Sequence, residues 1–415
     1  MLSLYMHIPF CQSKCNYCAF SSFALTEKSD QIAQYLSALK EEIKHYSEHF
    51  HHEGIKTLYF WGGTPNLLGA DQLSEIIFTV EQYFDCSNLA ELSFEFNPYP
   101  EEEIYTIIKA LQKTFWKKYP RIRFSFGIQS FDNEVLQLAG RHTRFLGLVD
   151  FLRNLQPLKQ DNTVFNFDFI AFGKWNQSKK GNPYLRTPSA LQFFTDFVNS
   201  QFADSFSLYT LELFENQTRK RKKSDALISG AYFGTDEQIY EEFSVLKDIL
   251  LDAWYHRYEL SNFALAGKSS IHNRIYREME NYLGLGLNAS SFLKKKELNS
   301  EFLSSLGLST PEAGLRFKNT NNLENYCNKQ FLDPSAFEPL SKKDYLIEEF
   351  FLGLRTDKGV PQLSKFTSLL IPHYEKKLQI YENEGLITID WEKLKLTDAG
   401  MDVFNGIVTE IMNEI

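Results

Sequence analysis

The sequence predicts an α/β fold followed by a small helical domain, and three observations carry that expectation. From residue 2 to residue 263, short apolar runs alternate with amphipathic helical stretches, the pace of parallel strands joined by helices. Polar residues and glycines stand at the ends of those runs, where α/β folds gather their chemistry around one mouth. From Ser341 the order changes to helix, helix, two short strands and helix, the outline of a winged-helix domain.

Taken in order, residues 2–8 read as the first strand, leading into a cysteine-bearing loop. Residues 27–50 read as a helix, because Ile32, Tyr35, Leu36, Leu39 and Ile43 recur at helical spacing and Thr26 can cap its start. IKTLYFW (55–61) is a buried-strand run closed by Gly62-Gly63-Thr64-Pro65, with a helix over 71–84. ELSFEFNP (91–98) is the next strand, stopped by Pro98. A helix over 101–118, a strand over 121–131 and two short helices, 132–139 and 144–155, follow. TVFNFDFIAFG (163–173) is a strand, 174–188 a polar loop, 189–201 a helix and DSFSLYTLEL (204–213) the sixth strand. After a basic loop at 216–230, residues 236–252 form a helix opened by a Thr235–Gln238 capping box. YHRYELSNF (255–263) reads as a last strand. Residues 264–340 read as irregular, and LITID (386–390) with KLKLT (393–397) as the short strands of the last domain. The expected division is 1–263, a connecting region 264–340, and 341–415.

Composition narrows the function classes. A hydrophobic content of 43% supports a sizeable core, and 37 Phe with 21 Tyr suit either a large apolar cavity or ordinary packing. A net charge of −9 argues against general nucleic-acid binding. The basic runs Arg219–Lys223 and Lys294–Lys296 are short and read as solvated loops. A winged helix can bind DNA, but this one is not strongly basic, so a structural or lid role is expected. No apolar run reaches membrane-spanning length, and the N-terminus lacks signal-peptide features. A reducing, cytoplasmic location is expected.

Of five cysteines, Cys11, Cys15 and Cys18 fall together in YMHIPFCQSKCNYCAF (5–20), while Cys86 and Cys327 are isolated. Such a cluster reads as a metal site rather than a disulfide framework. C-x3-C-x2-C offers three thiolates, one fewer than most electron-transfer iron–sulfur clusters use. On a four-iron, four-sulfur cube this leaves one iron open to a small molecule. The alternative is zinc with His7 as fourth ligand. His7 alternates with Met6 and Ile8 in a strand-like run, the pattern of a packed residue.

The C-x3-C-x2-C spacing resembles the signature of the radical S-adenosylmethionine (SAM) superfamily. Y-x-H-I-P-F-C ahead of it resembles, more narrowly, the oxygen-independent coproporphyrinogen oxidase group, which includes the HemW-type haem chaperones. The resemblance implies an incomplete (β/α)6 barrel, a 4Fe-4S cluster on Cys11, Cys15 and Cys18, and SAM chelated by the open iron. One-electron cleavage of SAM would then yield methionine and a 5′-deoxyadenosyl radical. The positions that match SAM contacts of the family are Tyr5, Tyr17, Ala19, Gly62, Gly63, Thr64, Glu95, Gln129, Arg141 and Asp168. Read from the residues alone, two glycines permit close backbone approach, and charged groups inside apolar strands are costly unless paired or ligated. A structural salt bridge between Arg141 and Asp168 is the alternative for that pair.

Within the group, Phe20 stands where the oxidase carries a fourth cysteine, which is the HemW pattern. His272, Asn273 and Tyr276 in SSIHNRIY match that branch's H-N-x-x-Y. His272 and Tyr276 are candidate haem ligands, with a loop or capping role for His272 as the alternative. The chain departs from the family at AFGKWNQS (171–178), at YLGLGLNASSF (282–292), which lacks a second His, and at Arg277. EEFFLGLRTDKGV, GLI and LTDAG match the family's last domain. The resemblance implies a radical SAM protein that binds haem and passes it to an acceptor apoprotein, with an electron donor for the cluster. A coproporphyrinogen III oxidase is the alternative.

Overall fold

The computed structural model describes residues 1–25, 30–174, 189–212, 233–366 and 376–412. The expected cap Thr26, most of the 174–188 loop and the basic run 219–223 lie outside these residues. Six parallel strands form the centre: β1 (Leu2–Ile8), β2 (Ile55–Gly62), β3 (Glu91–Phe96), β4 (Ile122–Gln129), β5 (Thr163–Ala171) and β6 (Ser205–Thr210). The helices between them are α1 (Asp30–Phe50), α2 (Ala70–Tyr83), α3 (Glu101–Phe115), α4 (Asn133–Leu138), α5 (Phe145–Leu155) and α6 (Ala190–Asn199). Each lies within a few residues of its expected span.

The predicted single strand at 255–263 is instead a hairpin, β7 (His256–Glu259) and β8 (Asn262–Ala264), antiparallel to the edge of β6. It follows α7 (Asp236–Asp252), which carries the predicted capping box. The region 264–340 is not irregular. After α8 (Ile271–Arg277) it supplies β9 (Tyr282–Leu285), parallel to β1, then antiparallel β10 (Ser290–Lys294), β11 (Gly314–Lys318) and β12 (Glu338–Leu340). These strands were hard to read because they are short and broken by Gly284 and Gly286. The sheet order is β12-β11-β10-β9-β1-β2-β3-β4-β5-β6-β8-β7, an open arc whose two edges are not hydrogen-bonded to each other.

Alternation along the strands gives the arc two unlike faces. Leu4, Met6, Leu58, Phe60, Leu92, Phe94, Phe124, Phe126, Phe165 and Phe167 point to the helices and are buried. Phe60, Phe94 and Phe124 stack across three strands at 5.1 and 5.6 Å. Much of the aromatic content is therefore ordinary core. The residues between them, Tyr5, His7, Thr57, Tyr59, Ser93, Glu95, Arg123, Ser125, Asn166, Asp168, Ser205 and Ser207, line the other, polar face in register.

The C-terminal part has its own core around Phe350, Leu354, Ile387, Leu394 and Ile407. It contains α9 (Lys342–Leu354), the hairpin β13 (Ile387–Asp390) and β14 (Lys393–Leu396), α10 (Asp398–Asp402) and α11 (Phe404–Met412). Asp402 joins it to the barrel by ion pairs with Arg257 of β7, at 2.7 Å, and with Lys247 of α7. Arg274 of α8 pairs with Asp357 at 2.9 Å.

Candidate cluster and SAM site

The cysteine loop leaves β1 and is fastened on three sides. On the first, Gly63 N–H donates to Ile8 O and Thr64 N–H to Phe10 O, both at 2.7 Å. A Cβ on Gly63 would lie 2.5 Å from Phe10 O, and one on Gly62, at φ +114, 2.6 Å from the His7 ring. The close backbone approach expected of these glycines is thus made by the chain's own first strand and loop. On the second side, Asn16 N–H and Nδ2 donate to Ala139 O (3.0 Å) and Leu138 O (2.7 Å) at the end of α4. On the third, His7 Nε2 donates to Ser21 O at 2.8 Å while its Nδ1 accepts from the Tyr5 hydroxyl at 2.7 Å. Burial pushes the His7 imidazole down to about 4, so the ring is neutral. His7 is a fastening of the loop, as the alternation predicts.

Cys11, Cys15 and Cys18 are half-buried and form no disulfide. Burial raises the Cys18 thiol, and the neighbouring Cys15 and Cys11 push it the same way. Among the described residues no three His, Cys, Asp or Glu are close enough to share a single ion. A cube takes each thiolate on a different iron, a wider spacing than one ion's ligands need. Each sulfur already meets a donor: Thr64 Oγ1 reaches Cys11 Sγ and Arg141 Nη1 reaches Cys15 Sγ, both at 3.6 Å, and the Phe20 amide reaches Cys18. Three thiols ringed by donors are a donor set that fits a cluster thiolate triad.

Beneath the loop lies the polar face of the sheet. Asp168 accepts from Asn166 Nδ2 at 2.7 Å and Ser125 Oγ at 3.1 Å. Tyr59 donates to Glu95, and Glu95 with Asp168 forms a carboxyl pair. Burial first, and the Asp168 carboxylate second, push Glu95 up to about 8. Burial also raises Asp168. One shared proton lowers the repulsion of two carboxylates this close. The Asn166 Oδ1 acceptor is buried without a hydrogen-bond partner among the described residues, an open valence for a ligand. Arg123, nearly fully buried, donates to Ser205 Oγ at 2.9 Å and faces the same carboxylates.

The alternative weighed for that pair, an Arg141–Asp168 salt bridge, is not formed. Arg141 instead donates to Asn97 Oδ1 at 3.0 Å, to Gly127 O and to Cys15, while Asp168 is held by Ser125 and Asn166. Gln129 ends β4 at φ 70, a left-handed conformation beside Gly127 and Arg141. Tyr17 packs edge-on to Phe172 at 6.1 Å and interacts with Arg141 and Cys15. Ala19 and Phe20 are exposed, with Phe20 edge-on to Trp61 at 4.6 Å. The structure therefore gathers Tyr5, Tyr17, Thr64, Glu95, Gln129, Arg141 and Asp168 on one side of the sheet's mouth. It adds Tyr59, Arg123, Ser125 and Asn166, whose signal was a polar residue at every second position of an apolar strand, and Asn16 and Asn97, which lie outside the strands.

His272 lies apart from the cysteines, in the first turn of α8. The Glu91 carboxylate accepts from Ile271 N–H and His272 N–H, both at 3.1 Å, and pins the first turn. The His272 ring is fully buried, with Nδ1 bonded to Thr57 Oγ1 at 2.7 Å and Nε2 to Tyr276 OH at 2.8 Å. Burial pushes it down to about 3. Binding a haem iron would require one of those two bonds to open.

Residues 5–174 match the radical SAM superfamily and residues 340–403 the HemN C-terminal domain. The chain thus carries a radical SAM domain followed by a HemN-type C-terminal domain. Within that class it resembles the haem chaperone HemW of Lactococcus lactis, at 28% identity over 99% of this chain and 97% of that protein. It is also similar to the mitochondrial radical S-adenosyl methionine domain-containing protein 1 of Bos taurus, at 24% identity over 100% of this chain and 88% of the other. Coproporphyrinogen III oxidase (HemN) from Escherichia coli shares the fold, with a TM-score of 0.73 and 20% identity over 100% of this chain and 90% of that one. Among the described residues no helix is long and apolar enough to cross a membrane.

Proposed function

We propose that this protein is a cytoplasmic haem chaperone that carries a 4Fe-4S cluster and SAM, binds haem and delivers it to an acceptor apoprotein. The observation that carries the reading is the end-to-end similarity to the haem chaperone HemW. Phe20, in place of a fourth cysteine, supports it. Cys11, Cys15 and Cys18 would hold the cluster, which when bound supplies one electron for SAM chemistry. Arg141 offers a fixed cation beside Cys15. Glu95, Asp168 and Asn166 Oδ1 offer acceptors for the donor groups of SAM. The loop packing, through Gly63, Asn16 and His7, fixes where the thiols point. Haem is proposed to be ligated by His272 or Tyr276, after their mutual hydrogen bond opens.

The test is a pair of assays on anaerobically reconstituted protein. Haem titration should saturate at a single haem per chain, and His272→Ala should change the haem absorption spectrum more than the iron–sulfur spectrum. Coproporphyrinogen III should survive incubation with SAM and reductant. Its conversion to protoporphyrinogen IX would overturn the chaperone reading in favour of the oxidase.

A further inference from the structure

We propose that Thr64 and Arg141 tune the cluster's redox potential, by donating hydrogen bonds to the sulfurs of Cys11 and Cys15. The inference rests on the reading that these cysteines hold an iron–sulfur cluster. Thr64 is the residue before a short 3-10 turn (Pro65–Leu67), a position where a Thr hydroxyl usually caps the turn's N–H groups. It makes no such bond. Its backbone is fixed by the bond to Phe10 O, and its hydroxyl is turned to Cys11 Sγ at 3.6 Å. Arg141 is clamped through Nη2 by Asn97 Oδ1 and Gly127 O, which leaves Nη1 facing Cys15 Sγ at 3.6 Å. Both residues are buried, so neither can trade its sulfur for water without cost.

Reduction of the cluster by an external one-electron donor adds one negative charge to a partly buried group. Hydrogen bonds to the ligand sulfurs stabilise that charge and raise the potential. Arg141 adds a full positive charge in a poorly screened setting. Both residues therefore act through the cysteines, as positioning and tuning groups.

The test is a potentiometric titration followed by EPR, without SAM, using dithionite as reductant. Thr64→Val keeps the shape and removes the donor, Thr64→Ser keeps the donor, and Arg141→Met removes donor and charge. At iron contents equal to wild type, Thr64→Val should have a more negative midpoint and Thr64→Ser an unchanged one. Arg141→Met should shift further in the negative direction. If Arg141→Met takes up no iron, the Val and Ser pair at Thr64 decides alone. Fully loaded variants with unmoved midpoints overturn the proposal and leave the cluster reading standing. Wild-type protein that takes up no iron overturns the cluster reading, and this proposal with it.

Discussion

At the residue scale, the five cysteines fall into two kinds. Cys11, Cys15 and Cys18 share one loop at C-x3-C-x2-C spacing, whereas Cys86 and Cys327 each stand alone in the sequence. Serine at Cys11, Cys15 or Cys18 should abolish cluster uptake, while Cys86→Ser and Cys327→Ser should leave the iron content of the reconstituted protein unchanged. The carboxyl pair gives a second expectation. Asp168→Asn should weaken SAM binding about tenfold or more, from the ~1.5–3 kcal/mol that hydrogen bonds to charged groups carry; a binding titration checks this. A third follows from Glu95, whose carboxyl is raised from 4.5 to about 8 in the fold. The native state then holds a proton that the unfolded chain releases, so stability is lost as pH rises through that window. Denaturation midpoints of the cluster-free protein should fall between pH 5 and pH 8, and Glu95→Gln should flatten the slope. Equal slopes in both proteins would contradict the shared-proton arrangement. Glu95 and Asp168 were legible as costly charges in apolar strands. Their mutual pairing was not, because one sequence does not tell which strands are neighbours.

At the element scale, the cysteine loop depends on the turn after β2 more than on its own residues. Adding a methyl at Gly63 would drive it into the Phe10 and Ile8 carbonyls. Gly63→Ala should destabilise the cluster-free protein by on the order of 2 kcal/mol and reduce cluster uptake, as seen by chemical denaturation and iron analysis. The six central strands were readable from apolar runs at strand length, and their helices from 3.6-residue spacing. The hairpin β7–β8 was not, since a two-residue turn at Leu260-Ser261 carries no Gly or Asn-Gly signal. The strands β9 to β12 escaped because their apolar residues are few and their partners lie far away in sequence. His272 was legible as a candidate ligand through its motif. The turn of α8 that carries it is pinned by Glu91, which lies 181 residues earlier, a distance that no local pattern spans.

At the scale of the whole molecule, the C-terminal domain is held to the barrel through Asp402, shared by Arg257 and Lys247. Arg257 is almost fully buried, so Asp402→Asn would leave its charge poorly compensated. A loss of about 3–5 kcal/mol is expected, measurable by chemical denaturation. The shape of the whole explains why one loop can do the chemistry: an open arc of parallel strands turns its polar face to the cysteines and its Phe-rich face to the helices. The most direct test of that claim is the EPR spectrum of anaerobically reconstituted, dithionite-reduced protein, recorded without and with SAM. A 4Fe-4S signal that SAM perturbs is expected, because three cysteines would leave one iron of the cube without a thiolate. Protein that binds zinc and no iron, or a cluster signal that SAM leaves unchanged, would contradict it.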